Sequence, residues 1–112
     1  MPPRDWRLRV RDIVEAIERV EAFTRGVTKE SFLKDPKTIA AASYELVIIG
    51  EAARHVAPEA RAAAPGIPWQ DMRDMRNIVA HGYFGVDLEI VWETLTHDVP
   101  RLRAPLLALL GD

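Results

Sequence analysis

The chain has 112 residues, 48% of them hydrophobic, which is enough to form one helical domain over residues 1–112 with a buried core. The absence of cysteine excludes disulfides, thiolate zinc sites and a cysteine nucleophile, and suits a cytoplasmic protein. A net charge of −2 argues against broad coating of nucleic acid but permits a local basic patch, and the longest aliphatic run, Leu46–Ile49, is too short to cross a membrane.

The first predicted helix runs from about Asp5 to Thr24, because apolar residues recur there at intervals of three and four. Its inward stripe comprises Trp6, Val10, Ile13, Val14, Ile17, Val20 and Phe23. Gly26 suits the end of this helix, since glycine readily adopts the left-handed conformation found there. Thr28 is placed to cap a short turn that runs through Leu33.

Asp35 and Pro36 predict the start of the next long helix, because a capping carboxylate precedes a proline at the first helical position. This helix runs to about Val56, and its apolar positions include Ile39, Leu46 and Ile49. Residues 57–66 are rich in alanine and proline and predict a short helical segment followed by a loop.

The fourth helix is expected from about Pro68 to Ala80, with Gly82 as its left-handed terminator, and its inner stripe comprises Trp69, Met72, Met75 and Val79. Asp87 then caps a fifth helix that Pro100 breaks or kinks. The apolar positions of this last region are Leu88, Val91, Trp92, Leu95, Leu102, Leu106, Leu109 and Leu110. No period-two alternation or repeat is present, so the prediction is an all-α, up-and-down bundle of about five helices.

The segment Arg76–Tyr83 places a guanidinium, an imidazole and a phenol at fixed spacing where the fourth helix should end. Phosphodiester chemistry without a metal needs a permanently charged donor such as Arg76 and a group titrating near neutrality such as His81. A purely structural role is also open. His81 would then interact with the helix dipole, Tyr83 would pack its ring, and Arg76 would pair with Asp74 or a neighbouring acid.

Helical geometry constrains how these side chains can act together. Arg73, Asn77 and His81 follow one another at i, i+4 and share one face of the helix. Arg76 lies about 140° around the helix from His81, at about 100° per residue. Either the chain therefore breaks at Ala80–Gly82, or the site combines residues of two protomers in a symmetric dimer.

This R-x-x-x-x-H-x-Y segment resembles the signature of HEPN ribonucleases, and its surroundings resemble HepT-like toxins, the partners of MNT nucleotidyltransferase antitoxins. The stretches that carry the resemblance are Arg11–Ile13, Glu15–Arg19, Phe32, Asp35, Val47–Ala53, Pro65, Ile67–Trp69, Met75–Asp87 and Ile90–Trp92. They extend in order over residues 9–102. The first eight residues, the alanine-rich segment and the C-terminal tail match poorly.

The resemblance implies a HEPN-like homodimer that cleaves RNA as an endoribonuclease toxin, without a metal or other cofactor, at a cleft between protomers. Arg76 and His81 are then the catalytic residues. His81 would act as general acid or base in attack by the RNA 2′-hydroxyl, and Arg76 would stabilise the charged phosphate. Tyr83 would be the residue to which the antitoxin attaches AMP, which silences the toxin.

Four more residues are candidates for supporting RNA binding: Asn77, Arg73, Glu51 and Arg54. Glu51 and Arg54 lie one turn apart and are equally suited to a solvated ion pair, and Asn77 could instead cap the helix or face solvent. The remaining expectations are that Gly50 permits close helix packing and that the scattered His55 and His97 are surface residues rather than metal ligands.

A non-catalytic helical module that binds, and is modified by, a partner nucleotidyltransferase is the alternative function. It shares the expected fold, so architecture does not separate the two hypotheses. The intact pair of Arg76 and His81 favours the enzyme, because a degenerate motif would be expected of a module without chemistry.

Overall fold

The structure, a computed structural model, describes residues 5–83 and 87–111, with the side chains of residues 81–83 outside that description. The described residues form helices and turns without a strand. The α-helices are α1 (Trp6–Thr24), α2 (Lys29–Leu33), α3 (Pro36–Arg54), α4 (Pro58–Ala63), α5 (Trp69–Tyr83), α6 (Leu88–Glu93) and α7 (Arg103–Leu110). A π-helical turn over Thr94–Asp98 and a 3-10 turn over Pro100–Leu102 join α6 to α7.

Side-chain caps begin four of these helices at the predicted residues. Asp5, Asp35 and Asp87 accept hydrogen bonds from backbone amides in the first turns of α1, α3 and α6. Thr28 forms a reciprocal capping box with Ser31 in α2. Such caps satisfy amides that have no partner within the helix, which explains why local sequence locates these starts well.

Helix α3 is the centre of the bundle, with α1 and α5 packed against it. Helices α1 and α3 are antiparallel. Arg19, in the second half of α1, contacts Glu45 at the middle of α3, whereas Arg9 near the start of α1 lines a common cavity with His55, which follows the end of α3. The fully buried side chains of the core include Val10, Ile13, Ile17, Val20, Phe32, Leu46, Ile49, Met72, Val99 and Leu106. The predicted all-α bundle is confirmed.

Several predicted details are wrong. Helix α5 continues to Tyr83, so Gly82 lies within its last turn rather than after its end. Glycine is only a frequent terminator, and a helix can retain it at a cost of about 1 kcal/mol relative to alanine. Phe23 is exposed because it lies in the last turn of α1. Other predicted inward positions are less enclosed than the core: Trp6, Ile39, Val79, Trp92 and Leu109 are partly buried and pack against it, and Leu88 is partly buried.

The predicted break at Pro100 is spread over a longer stretch. The π-helical turn begins at Thr94, and the regular helix resumes only at Arg103. Pro100 cannot donate a backbone hydrogen bond, so the chain tightens into a 3-10 turn at that residue. None of the helices described here is both long enough and apolar enough to traverse a lipid bilayer.

Candidate active site

Gly50 sets the close approach of α3 and α5 on which the candidate site is built. A Cβ atom at this position would lie 3.2 Å from the carbonyl oxygen of Arg73 and 3.3 Å from the backbone nitrogen of Arg76. A larger residue would therefore meet main-chain atoms of the neighbouring helix, which have little freedom to move. The predicted packing role of Gly50 is confirmed.

The residue after Gly50 contacts the predicted catalytic arginine. Nη1 of Arg76 donates a hydrogen bond to Oε1 of Glu51 at 2.9 Å, and Nη1 of Arg54 lies 3.4 Å from the same oxygen. The three side chains remain open to solvent, with exposed fractions of 58% for Arg76, 50% for Arg54 and 40% for Glu51. We call these three residues the arginine–glutamate cluster. One carboxylate between two guanidiniums leaves the cluster with a net positive charge.

The predicted pairing of Glu51 with Arg54 is thus present but incomplete, because Arg76 approaches the same carboxylate more closely. Arg76 does not pair with Asp74, which instead accepts a hydrogen bond from Gln70 at 2.9 Å. The Arg76–Glu51 contact joins residues 25 positions apart and was not predicted. The sequence signalled it only indirectly: Glu51 was a candidate for the same site, and a packing glycine at Gly50 indicates that another helix lies close without indicating which one.

The continuity of α5 excludes one of the two predicted arrangements of the motif, and the two-protomer arrangement stays a prediction. The helix is unbroken from Trp69 to Tyr83, so a chain break at Ala80–Gly82 is wrong. Arg73 and Asn77 lie on one face of this helix, Arg73 half-buried and Asn77 exposed, and position 81 follows in the same register. Position 76 is about 140° away around the axis. The structure therefore brings Arg76 together with Glu51 and Arg54 rather than with Asn77.

Some predicted functions concern parts of the chain that lie outside the described residues. These are the side-chain roles predicted for His81 and Tyr83. His55 and His97 are exposed, as predicted. Among residues 5–80 and 87–111, no group of three or more histidine, aspartate or glutamate side chains is arranged to hold a metal ion.

A cavity of ≈ 360 Å³ lies between α1 and α3 and reaches the arginine–glutamate cluster through Glu51. Its other lining residues are Arg9, Asp12, Glu15, Arg19, Ile48, Ala52 and His55. Acidic and basic side chains are mixed along this wall, so it does not form a uniformly cationic surface for a phosphate backbone. The exposed guanidiniums at the α3–α5 contact suit a phosphate better.

The chain resembles known proteins over most of its length. A family model described as "Ribonuclease HepT-like" matches residues 13–109, which include α3 and α5. The chain is 45% identical over 92 residues to "Probable ribonuclease HepT" of Thermococcus cleftensis, a match covering 82% of this chain and 84% of that protein.

Two further relatives are provisionally named RNases. One, from Caldanaerobacter subterraneus subsp. tengcongensis, is 37% identical over 94 residues, or 84% of this chain and 80% of its own. The other, from Methanocaldococcus jannaschii, is 34% identical over 103 residues, or 92% and 94% of the two chains. No solved structure matches the chain significantly.

Proposed function

The chain belongs to the HepT-like ribonuclease family, and we propose that it is a metal-independent endoribonuclease toxin acting in the cytoplasm, with Arg76 and His81 as its catalytic residues. The observation that carries this proposal is the exposed Arg76 guanidinium, held at the α3–α5 contact within a stretch that matches the family. Arginine has five donors, so the contact with Glu51 leaves others available to a phosphate.

Cleavage would begin with attack of an RNA 2′-hydroxyl on the phosphorus attached to the 3′-oxygen of the same ribose. One imidazole takes the hydroxyl proton, and a second gives a proton to the departing 5′-oxygen, which yields a 2′,3′-cyclic phosphate and a free 5′-hydroxyl. The imidazole pKa lies close to neutrality, which suits both proton transfers. Arg76 stabilises the charge that builds on the phosphoryl oxygens.

A two-protomer site supplies both imidazoles, because each chain has one His81 on an unbroken helix. The outward face of α3 supports a homodimer. Tyr44 is 64% exposed, Val47 and Ile48 next to it are only partly buried, and the face continues directly to Glu51. An exposed tyrosine beside partly buried aliphatic side chains, next to a charged cluster, is suited to a contact between copies with the cleft at its edge.

Tyr83 is proposed as the site at which a cognate MNT-type nucleotidyltransferase, the antitoxin, attaches AMP. By the helical register, positions 76 and 83 are seven residues apart, about 20° from one another around α5. An AMP group attached at position 83 would place a phosphate on the Arg76 side of the helix. It would then compete with RNA for the same guanidinium.

The first test is cleavage of mixed RNA in excess EDTA by purified protein whose mass shows no adduct. We expect the wild type to leave cyclic-phosphate ends, whereas Arg76→Ala should lose about 10²–10³ in rate and His81→Ala about 10²–10⁴. Arg103→Ala, which removes another exposed arginine from an ion pair with Glu18, is the matched control and should cleave normally.

The outcomes separate the enzyme from its alternative. Cleavage by wild type but not by the two motif variants supports the proposal. No cleavage of varied RNAs by unmodified dimeric wild type would favour a non-catalytic module that binds, and is modified by, a nucleotidyltransferase. Equal cleavage by wild type and both motif variants would place the active site elsewhere.

A further inference from the structure

We propose that Glu51 is a positioning residue, which orients Arg76 for phosphate and does not itself bind RNA; the proposal rests on the catalytic role of Arg76. The 2.9 Å hydrogen bond from Arg76 to Oε1 of Glu51 connects two helices that are fixed to each other at Gly50. A carboxylate repels phosphate, so a direct contact with the RNA backbone is unfavourable. The role expected of Glu51 from its sequence position, RNA binding, is thereby replaced by one exerted through Arg76.

Arginine has four side-chain torsions, and an exposed guanidinium samples many orientations unless a partner restrains it. Glu51 provides that restraint from a buried, rigid helix, and Arg54 restrains Glu51 in turn from one helical turn away. The guanidinium is consequently oriented before substrate arrives. Displacement of a catalytic group by about 1 Å can cost about 10² in rate, which gives this restraint a measurable effect.

Stability does not account for the cluster. Both partners of the Arg76–Glu51 pair are substantially exposed, and ion pairs of that kind contribute about 0–1 kcal/mol to folding. Variants of Glu51 should therefore fold normally. Their effect on catalysis is opposite in sign to their effect on binding: the lost restraint slows turnover, whereas the lost negative charge strengthens attraction for RNA.

The test compares Glu51→Gln and Glu51→Ala with wild type for kcat and for binding of an oligonucleotide that carries a 2′-deoxy nucleotide at the cleavage position. Glutamine keeps an oxygen that accepts from Arg76, and alanine does not. We expect kcat to fall about two- to fivefold in Glu51→Ala, the effect of a restraint of about 0–1 kcal/mol, and less in Glu51→Gln. The Kd of both should decrease about two- to fivefold at low salt, an effect that added salt removes.

Glu18→Gln is the charge-matched control, because it removes one carboxylate from an exposed pair with Arg103 that involves neither α3 nor α5. It should leave kcat unchanged. A second comparison places Glu51→Ala in the Arg76→Ala background under single-turnover conditions. If Glu51 acts only through Arg76, the added substitution should change the residual rate by less than about twofold.

The possible failures are distinct. Absence of cleavage by wild type, or full cleavage by Arg76→Ala, would refute the proposed function itself. Loss of activity in Arg76→Ala together with a wild-type kcat in Glu51→Ala would refute only the positioning role. An equal loss from Glu51→Ala in both backgrounds would show that Glu51 acts independently of Arg76, which also overturns the inference.

Discussion

Two arginine–glutamate pairs in this protein differ in burial, and burial separates their roles. The Arg19 Nε and Glu45 Oε1 atoms are 2.6 Å apart, and the Glu45 side chain is only 4% exposed. A carboxylate so enclosed needs its partner, because an unpaired buried charge is strongly destabilising. The carboxylate of Glu51 is open to solvent and can share its partner Arg76 with a substrate. The first pair is therefore structural, and the second is available for chemistry.

The cap that Asp35 forms at the start of α3 depends on the ionisation of its carboxylate. The Thr38 hydroxyl donates to Oδ2 at 2.6 Å, and the Thr38 and Lys37 amides donate to Oδ1 at 3.2 Å each. Because these donors favour the ionised form, chiefly the Thr38 hydroxyl, the pKa of Asp35 lies below its ordinary value. The helix cap is thus strongest when the carboxylate is charged.

Substitution Asp35→Ala should lower the melting temperature at neutral pH, because α3 loses its cap. The pKa of Asp35 is lower in the folded than in the unfolded protein. The stabilisation is therefore fully present at pH values above the unfolded-state pKa, and it is lost as the pH falls through the folded-state pKa. The difference in melting temperature between wild type and Asp35→Ala should therefore shrink as the pH falls below the ordinary carboxyl pKa of 3.8. Circular dichroism melts at a series of pH values provide the measurement.

Thr38→Val is the control for this prediction, since it removes the hydroxyl that contributes most to the shift. In this variant the Asp35 carboxylate should become protonated at a higher pH than in wild type. The acid-induced loss of stability should therefore begin closer to neutral pH. A difference between wild type and Asp35→Ala that stays constant with pH would contradict the assigned role of ionised Asp35.

Helices α3 and α5 position the site because they approach each other closely over a whole turn. Gly50 faces main-chain atoms of Arg73 and Arg76. Because glycine has no side chain, the two helices can approach each other this closely. The same separation brings Glu51 within hydrogen-bond distance of Arg76. Packing and site geometry therefore depend on one residue of α3.

Gly50→Ala should destabilise the fold despite the better helix propensity of alanine. The gain from propensity is about 1 kcal/mol, whereas an extra methyl group in a well-packed contact costs about 1–3 kcal/mol. The expected result in urea denaturation is a net loss, accompanied by lower RNase activity as Arg76 moves away from Glu51. Gly66→Ala is the control, since a Cβ atom at Gly66 meets nothing within 4 Å. A Gly50→Ala protein as stable and active as wild type would show that α5 can shift to accommodate the added methyl group at little cost in free energy.

The bundle leaves one face of its central helix uncovered. Helices α1 and α5 bury the sides of α3 on which Leu46 and Ile49 lie, but Tyr44 stays exposed and shares a face with Glu51 seven positions later. The proposed dimer would cover this face and bring two arginine–glutamate clusters toward one cleft. Assembly and activity should then be lost together.

Tyr44→Lys should weaken the dimer, because a two-fold interface contains each substitution twice and would bury two charges. We expect dissociation to monomers at concentrations where wild type is dimeric, and a loss of RNase rate of about 10² or more, since each site would lack its second imidazole. Analytical ultracentrifugation and the EDTA assay measure the two effects.

Ile90→Lys serves as the matched control because Ile90 is also a large exposed hydrophobic residue, 49% accessible, but lies on α6. It should remain dimeric and active. A monomeric Tyr44→Lys protein with full activity would show that one protomer contains a complete site. A Tyr44→Lys protein that remains dimeric would place the interface on another face.

The local sequence was sufficient to predict the helices and the residues at which they start. Asp5, Thr28, Asp35 and Asp87 act on amides only two or three residues away, so their effect can be recognised without knowing the fold. Apolar periodicity likewise identified most of the core, because a helix presents residues three and four apart to the same neighbour. The motif containing Arg76 and His81 was interpreted through a resemblance that extends along most of the chain, and the comparison with known proteins confirms the family.

The partners of those residues depended on tertiary structure. Glu51 and Arg76 are 25 positions apart, and Arg19 and Glu45 are 26 apart, so each contact exists only once the helices have packed. The continuation of α5 through Gly82 was also not predicted, since glycine permits both a helical turn and a terminator. Short-range hydrogen bonds are encoded in neighbouring residues, whereas helix crossings result from many small packing terms distributed over the chain.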